Sequence, residues 1–213
     1  MNTLRYRMLP LSWILSIPLL GYIYSLLNNP TRGAHHLVTN LDRSIPFIKS
    51  FILPYVGWYF FLFITLIYFG WKDRETYKKT LLAVNISLAL SYVVYFFYQT
   101  SVPRPELVGT DFLTQLVRII YENDAPFNCF PSIHSLTSYL MIRGIWGSPV
   151  KNPLNTVIII GMAVMIILST MFVKQHVLLD VVSAIFLGEM VWQAVSKRSE
   201  VKSGAWIKKP SLS

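Results

Sequence analysis

Charged residues are scarce in this chain of 213 residues: 14% are Asp, Glu, Lys or Arg, against about 25% in typical soluble domains. Cysteine is scarcer still, and with Cys129 alone no disulfide can form within the chain. These two shortages exclude a disulfide-stabilised scaffold and argue against a soluble enzyme. Apolar residues, by contrast, make up 54% of the sequence and fall in long blocks. Such blocks indicate an integral membrane protein.

Six apolar blocks approach the roughly 20 residues with which a helix crosses about 30 Å of hydrocarbon. They predict an all-α, polytopic membrane protein whose core is a bundle of six transmembrane helices. The predicted spans are residues 8–27, 51–70, 81–98, 132–146, 156–173 and 177–195. We therefore expect one domain over residues 1–195, followed by a basic tail over residues 196–213.

Lysine and arginine predict the orientation of the bundle, because cytoplasmic loops carry an excess of both. With six spans, thirteen of them fall on the side of the termini: Arg5, Arg7, Lys72, Arg74, Lys78, Lys79, Arg143, Lys151, Lys197, Arg198, Lys202, Lys208 and Lys209. Six fall on the other side: Arg32, Arg43, Lys49, Arg104, Arg118 and Lys174. This predicts cytoplasmic termini in a cell membrane. The net charge of +9 is scattered over loops, which favours contact with lipid headgroups over nucleic acid.

The loop between the third and fourth predicted spans contains a helical repeat. Its apolar residues at helical spacing are Phe112, Leu113, Leu116, Val117 and Ile120. Thr110 and Asp111 precede them as an N-cap and a first-turn acid. The pattern predicts a short amphipathic helix on the outer leaflet. It either covers loop backbone or forms a lip beside a route for lipid.

Two polar clusters fall at the outer ends of spans, where ionisable residues are functional candidates by default. Arg104 lies between two prolines that fix its backbone, and its planar guanidinium suits a phosphate. The alternative is an interfacial arginine that reaches lipid headgroups. Pro131 is expected at the first position of the fourth helix. There the amides near Ile133, the Ser132 hydroxyl and the His134 imidazole offer an anion site, unless they serve only as a cap and a structural histidine.

The third cluster lies at the start of the sixth span, where His176 and Asp180 stand four residues apart on one helix face. The carboxylate of Asp180 can fix the tautomer of His176 and leave its other ring nitrogen nucleophilic. A purely structural pair is the alternative. Six spans bring all three clusters to one membrane face. Together they hold the parts needed for phosphoryl transfer through a phosphohistidine.

These residues resemble three signature regions of the type 2 phosphatidic acid phosphatase superfamily and the related sphingolipid synthases. The matching stretches, in family order, are Arg104-Pro105, Pro131-Ser132-Ile133-His134 and Ser169-Thr170-x5-His176-x3-Asp180. The chain departs from the family pattern at three positions. Phe97, Ile133 and Thr170 stand where the family has a lysine, a glycine and an arginine. Lys174 is the candidate to restore one positive charge. Two features resemble the sphingolipid-synthase-like branch of the superfamily. They are the absence of these cations and the sequence of residues 41–47.

The resemblance implies a lipid phosphatase that hydrolyses a phosphate monoester or diphosphate, of phosphatidic acid or polyprenyl type, without metal or cofactor. His176 would attack phosphorus while Asp180 orients it, and His134 would protonate the leaving oxygen and then activate water. The phosphoryl oxygens would be held by Arg104, Ser132, Ile133 and Lys174. The lipid phosphate and the bilayer are the expected partners.

Two alternatives to hydrolysis stay open. One is a phosphotransferase of the sphingolipid-synthase type, which moves a phosphorylated headgroup to a lipid alcohol. The other is a carrier or a haem protein with His134 and His176 as axial ligands. The sequence shows no cluster of metal ligands and no role for His35 or His36. Cys129 is expected to react with a membrane-impermeant maleimide from outside, provided the site is not occluded.

Overall fold

The computed structural model describes residues 11–30 and 33–207, and 75% of these residues are helical. Its α-helices are α1 (Ser16–Leu27), α2 (Asn40–Ser44), α3 (Ile52–Lys72), α4 (Arg74–Phe97), α5 (Phe112–Asn123), α6 (Ile133–Gly147), α7 (Pro153–Phe172) and α8 (Leu178–Ile207). Short 3-10 turns, Leu11–Leu15 and Lys49–Phe51, precede α1 and α3. Two-residue strands β1 (His35–His36) and β2 (Thr100–Ser101) pair in parallel. The predicted helical class is confirmed.

Four helices of the described chain are long and apolar enough to cross a membrane. They are Lys49–Lys72, Arg74–Phe97, Pro153–Phe172 and Leu178–Arg198. These helices overlap the second, third, fifth and sixth predicted spans. The first and fourth overlap shorter helices, because α1 has 12 residues and α6 has 15. The count of six spans therefore stays a prediction, and residues 8–10 of the first span lie outside the described residues.

The short helix α6 lies at the centre of the bundle and packs against α3, α4, α7 and α8. Ten of its fifteen residues are buried. Because protein rather than lipid surrounds α6, it carries hydroxyl side chains that a lipid-facing helix avoids. Thr137 donates to the carbonyl of Ile133 at 2.7 Å and accepts from the Trp58 indole at 2.8 Å. Central burial explains why the fourth predicted span is the least apolar.

The surrounding helices present large apolar side chains to the outside. Phe60 of α3, Val157 of α7 and Phe186 of α8 each expose about two thirds of their surface or more. Apolar exposure on this scale is expected where the surrounding medium is hydrocarbon. The helix α8 continues past residue 195, so the predicted tail is helical as far as Ile207. Residues 208–213 of the tail lie outside the described part.

The amphipathic helix predicted before α6 is confirmed as α5. Asp111 is its N-cap and accepts the Thr114 amide at 3.2 Å. Val117, fully buried, joins a cluster with Ile52 and Tyr55 at the start of α3. The helix α5 therefore covers the end of the bundle at which α3 begins. The connections 28–51, 98–132 and 173–177 meet at this same end, which is called the site end below.

Helix packing at α6 generates a stability prediction. A Cβ atom added at Gly144 would lie 2.7 Å from Phe69 Cε2 and 2.8 Å from Thr80 Oγ1, and both neighbours are fully buried. We expect Gly144→Ala to cost about 1–3 kcal/mol through overpacking. The measurement is the thermal unfolding midpoint of the detergent-purified protein.

The matched control is Gly161→Ala in α7, because no atom lies within 4 Å of a Cβ at this position. Replacing a glycine in a helix interior with alanine gains about 0.5–1 kcal/mol. The two variants are therefore expected to move the midpoint in opposite directions. A Gly144→Ala protein as stable as the parent would contradict the central packing of α6.

Candidate active site

His176 and Asp180 form the expected pair, but they do not share a helix face, because His176 precedes α8, which begins at Leu178. The Nδ1 atom of His176 lies 3.3 Å from Oδ2 of Asp180. The same oxygen accepts the backbone amide of Val177 at 2.9 Å. Asp180 is fully buried and His176 is 8% exposed. Because the amide holds the carboxylate in place, the carboxylate orients the imidazole.

His134, on the first turn of α6, lies beside this pair, and its ring centroid is 5.7 Å from that of His176. Two aromatic rings of α3 hold it, Tyr55 at 4.6 Å and Trp58 at 4.3 Å between centroids. Neither ring nitrogen of His134 has a hydrogen-bond partner among the described residues. Both nitrogens are therefore free for a ligand. The two aromatic walls were missed by the sequence analysis, because aromatic residues in an apolar span are also expected to face lipid.

The start of α6 differs by one residue from the expectation. Pro131 precedes the helix, and Ser132 is the N-cap, whose hydroxyl accepts the Ser135 amide at 3.3 Å. The Ser132 amide donates to the carbonyl of Asp180 at 3.1 Å. This bond links the start of α6 to the start of α8. It places the amides of Ile133 and His134 beside the His176 pair, at helix positions whose N–H groups have no intrahelical acceptor.

Arg104 lies at the same end, and its guanidinium is already engaged. It donates to the carbonyls of Tyr121 at 2.9 Å and Asp124 at 2.7 Å, and to the side chain of Gln175. Its charge also lies 4.3 Å from the centre of the Tyr121 ring. Its Nε is buried without a partner among the described residues. Arg104 thus ties α5 to the loop that carries His176, and a phosphate would have to share this guanidinium with those carbonyls.

Lys174 lies two residues before His176 and contacts the first connection of the chain. Its ammonium donates to the carbonyls of Asp42 at 3.0 Å and of Ile45. Burial lowers the pKa of Lys174, and the nearby Asp42 opposes this. The carboxylate of Asp42 accepts the amide of Leu178 at 2.7 Å, so it caps α8. The run over residues 41–47 therefore closes over the site, and Asp42 is a cap that the sequence analysis missed.

Asp124, at the end of α5, is a second acid that the sequence analysis missed. Its Oδ1 accepts from the Tyr24 hydroxyl and the Asn28 amide of the α1 segment, both at 2.9 Å. Burial raises the pKa of Asp124, while the Tyr24 hydrogen bond and the Arg104 charge oppose the rise. No pattern in the sequence places α1 against the end of α5, so nothing in it marks Asp124.

Cys129 is buried beside the histidine–aspartate pair. Its side chain is 3% exposed, so the condition of an unoccluded site, on which maleimide labelling was expected, is not met. Its sulfur, a ring nitrogen of His176 and a carboxylate oxygen of Asp180 all lie within 4.8 Å of one another. The sequence analysis did not identify this group of potential metal ligands, because Cys129 stands 47 positions before His176 in the chain.

His35 and His36 stay away from the cluster and stabilise the two-stranded ladder. The ring of His35 stacks on Tyr98 with 4.5 Å between centroids. Nδ1 of His36 lies 3.1 Å from the Ser101 hydroxyl. The adjoining Thr100 hydroxyl accepts the amide of Phe130 at 2.9 Å. Through this ladder the two histidines support the segment that leads into α6.

Three cavities adjoin the histidines. The first, the cationic cavity, has about 300 Å³ and is lined by His176, Arg43, Arg104 and Lys174 among others. The second, the narrow chamber, has about 10 Å³ and touches both histidines, Asp124 and Cys129. The third, the apolar cavity, has about 290 Å³ and is lined by residues such as Ile17, Trp58, Leu62, Leu88 and Tyr92, with His134 and Asp124 at one end. His176 therefore borders the cationic side, and His134 borders the apolar side.

Four helices of the described residues are long and apolar enough to cross a membrane, which fits a membrane protein. The family model of the PAP2 superfamily matches residues 77–202, more than half of the chain. The chain belongs to the PAP2 superfamily, and this membership supports a phosphatase or a related phosphotransferase function. Every predicted site residue, from Arg104 to Asp180, lies within the matched range. No curated protein and no solved structure matches the chain.

The raised pKa of Asp124 generates a prediction about stability and pH. A carboxyl with a raised pKa in the folded state stabilises the fold fully below its unfolded pKa of about 3.9. That contribution is lost as the pH rises through the folded pKa. Asp124→Asn keeps an acceptor for Tyr24 and Asn28 but does not titrate. We expect its thermal midpoint, relative to the parent, to rise between about pH 4 and 7.

Asp111→Asn is the matched control with the opposite sign. Hydrogen bonds from Lys49 and Thr114 lower the pKa of this exposed carboxyl. Its contribution is present above the unfolded pKa and disappears as the pH falls. The midpoint of Asp111→Asn relative to the parent is therefore expected to stay nearly constant between about pH 4 and 7, and to rise as the pH falls below about 4. If the midpoint of Asp124→Asn relative to the parent stays constant or falls as the pH rises from about 4 to 7, this would contradict the raised pKa of Asp124.

Proposed function

We propose that the protein is a membrane lipid phosphatase that hydrolyses a lipid phosphate monoester or diphosphate, of phosphatidic acid or polyprenyl type, through a phosphohistidine. One observation carries the proposal: His176 and His134 adjoin each other between a cationic cavity and an apolar cavity. A lipid phosphate has the same polarity, with a charged end joined to an apolar chain. The phosphorus would lie beside His176, at the charged end of the lipid that enters the cationic cavity.

In this arrangement His176 is the nucleophile. The neutral ring shares its Nδ1 proton with Asp180, so the other nitrogen keeps a lone pair for attack on phosphorus. The N–P bond forms as the bond from phosphorus to the lipid oxygen breaks. Asp180 is a positioning residue that stabilises the imidazolium formed in this step.

His134 is the general acid on the side of the lipid chain. It borders the apolar cavity, which is where the leaving alcohol would lie. A protonated His134 gives its proton to the lipid oxygen, and the neutral ring then takes a proton from water. That water attacks phosphorus, breaks the N–P bond and releases inorganic phosphate. The amides of Ile133 and His134, together with Ser132 and the cations Arg104 and Lys174, are proposed to bind the phosphoryl oxygens.

A phosphotransferase is the second candidate, in keeping with the sphingolipid-synthase-like pattern of the motifs. The observation that favours it is the size of the cationic cavity, about 300 Å³. Ligand sites for small molecules begin at roughly this volume, which leaves room for a headgroup beyond the phosphate. In that reaction the headgroup stays on phosphorus in the cationic cavity. A lipid alcohol then takes the place of water beside His134.

The proposed orientation has six spans, cytoplasmic termini and a site at the outer face of a cell membrane. Helices α1 and α6 would complete the four longer spans. The excess of Lys and Arg in the connections at the opposite end and in the terminal segments supports this orientation.

Catalysis is tested by inorganic phosphate release from a panel of lipid phosphates. We expect His176→Ala to abolish release, because the nucleophile is lost. His134→Ala is expected to retain binding but to turn over about 10²–10⁴-fold more slowly. His35→Ala is the matched control, since this exposed histidine stacks on Tyr98 away from the cluster. Activity is expected to survive an excess of chelator.

Three outcomes distinguish the candidates. Release that disappears only in the two site variants supports the phosphatase. Phosphate release from His176→Ala at the parental rate would contradict the nucleophile assignment. Turnover that requires an added lipid alcohol, with none of the phosphate set free, would replace hydrolysis by transfer.

Orientation is tested by labelling intact cells with a membrane-impermeant maleimide. In a Cys129→Ala background, Val108→Cys places a thiol at the site end, where Val108 is 89% exposed. Lys151→Cys places one at an exposed position of the opposite end. We expect labelling of the first variant only, until the cells are permeabilised. Labelling of Lys151→Cys alone would invert the proposed orientation.

A further inference from the structure

Cys129, His176 and Asp180 form a compact cluster of potential metal ligands. One ligand atom from each lies within 4.8 Å of the other two, and the three residues are 3%, 8% and 0% exposed. Thiolate, imidazole and carboxylate are the ligands by which proteins hold zinc. Oδ1 of Asp180 is buried and has no hydrogen-bond partner among the described residues. A buried carboxylate oxygen that lacks a partner is itself a signal for a missing ligand.

The cluster can contract around one ion with small movements. Bond lengths of about 2.3 Å to sulfur and 2.0–2.1 Å to nitrogen place tetrahedral ligands roughly 3.3–3.7 Å apart. The three atoms therefore need to approach each other by about 1 Å. The backbone amide of Cys129 is held by the Thr100 hydroxyl at 3.2 Å, which keeps the sulfur near the pair. The narrow chamber of about 10 Å³ beside the cluster is about the size of one water molecule, the usual fourth ligand.

The ligand types select the ion. A thiolate favours soft or borderline ions such as Cd²⁺ and Zn²⁺, whereas Mg²⁺ and Ca²⁺ require several oxygen ligands. The thiol must lose its proton to bind, and His176 binds through its neutral ring. One proton is thus released to water for each ion bound.

We propose that Cys129, His176 and Asp180 bind a single soft divalent cation, Zn²⁺ or Cd²⁺, and that the bound ion blocks the site. The ion would bind a ring nitrogen of His176 and the carboxylate of Asp180, and so would break the hydrogen bond that orients the proposed nucleophile. Cation binding does not rest on the proposed function, but the inhibition does. The two parts therefore need separate measurements.

Binding is measured on the purified full-length protein by titration with CdCl₂. A cadmium–thiolate bond produces an ultraviolet charge-transfer band, and Cys129 is the one cysteine of the sequence, so the band has a single source. We expect a band that saturates at one Cd²⁺ per chain and is competed away by Zn²⁺. No band in the parent protein, at any Cd²⁺ concentration that leaves it soluble, would overturn the proposal. This measurement needs neither enzymatic activity nor a variant.

Variants then assign the ligands. Asp180→Asn is expected to weaken Cd²⁺ binding at least tenfold, because the amide is a poorer ligand than the carboxylate. His35→Ala is the control for a histidine outside the cluster and should keep the parental affinity, because its ring stacks on Tyr98. Equal Cd²⁺ affinity for the parent and Asp180→Asn would show that the thiol binds the ion without the pair, and would overturn the three-ligand site.

Inhibition is measured as the rate of phosphate release at increasing Zn²⁺ concentrations. The rate of each protein is divided by the rate of the same protein in the presence of a chelator. We expect Cys129→Ala to require at least tenfold more Zn²⁺ for half inhibition than the parent. Equal inhibition of both proteins, or activation of the parent by Zn²⁺, would overturn the blocking role. An inactive parent that still shows the cadmium band would contradict the proposed phosphatase function and leave the metal site standing.

Discussion

The buried carboxylate of Asp180 is the group on which the arrangement of the site depends. Its side chain orients His176 and accepts the Val177 amide, and its carbonyl accepts the Ser132 amide that opens α6. A buried carboxylate is unfavourable unless such donors satisfy it. The same residue thus orients His176, the proposed nucleophile, and links the start of α6, which carries His134, to the start of α8. Its second oxygen has no hydrogen-bond partner among the described residues, and the proposed metal site is based on this oxygen.

The bundle gives the two histidines different surroundings. His134 is enclosed by aromatic rings of α3 and borders an apolar cavity, whereas His176 faces a cavity lined by Arg43 and Lys174. In the proposed function, the charged end of an amphiphilic substrate would contact His176, and its apolar end would lie beside His134. The central position of α6 makes this division possible, because protein on every side lets it carry polar residues through the bundle.

Part of this structure could be predicted from the sequence. The helical class and α5 follow from periodicity. The contact of His176 with Asp180 was also predicted, but from a shared helix face, whereas His176 lies before the first residue of α8. The contacts of Asp124 and Cys129 could not be predicted, because they arise from segments that only the folded chain brings together. The guanidinium of Arg104 was expected to be free for phosphate, and backbone carbonyls already occupy it. Every residue has a backbone carbonyl, so the sequence does not show which carbonyls will contact the guanidinium.

The central claim is that His176 carries the phosphoryl group. The most direct measurement is rapid quenching of the protein with a lipid phosphate that carries radioactive phosphorus, followed by mapping of the labelled peptide. The account predicts an acid-labile, alkali-stable label on His176 in the parent and in His134→Ala, where its hydrolysis is slowed, and none in His176→Ala. Phosphate release without a labelled protein, or a label on another residue, would contradict it.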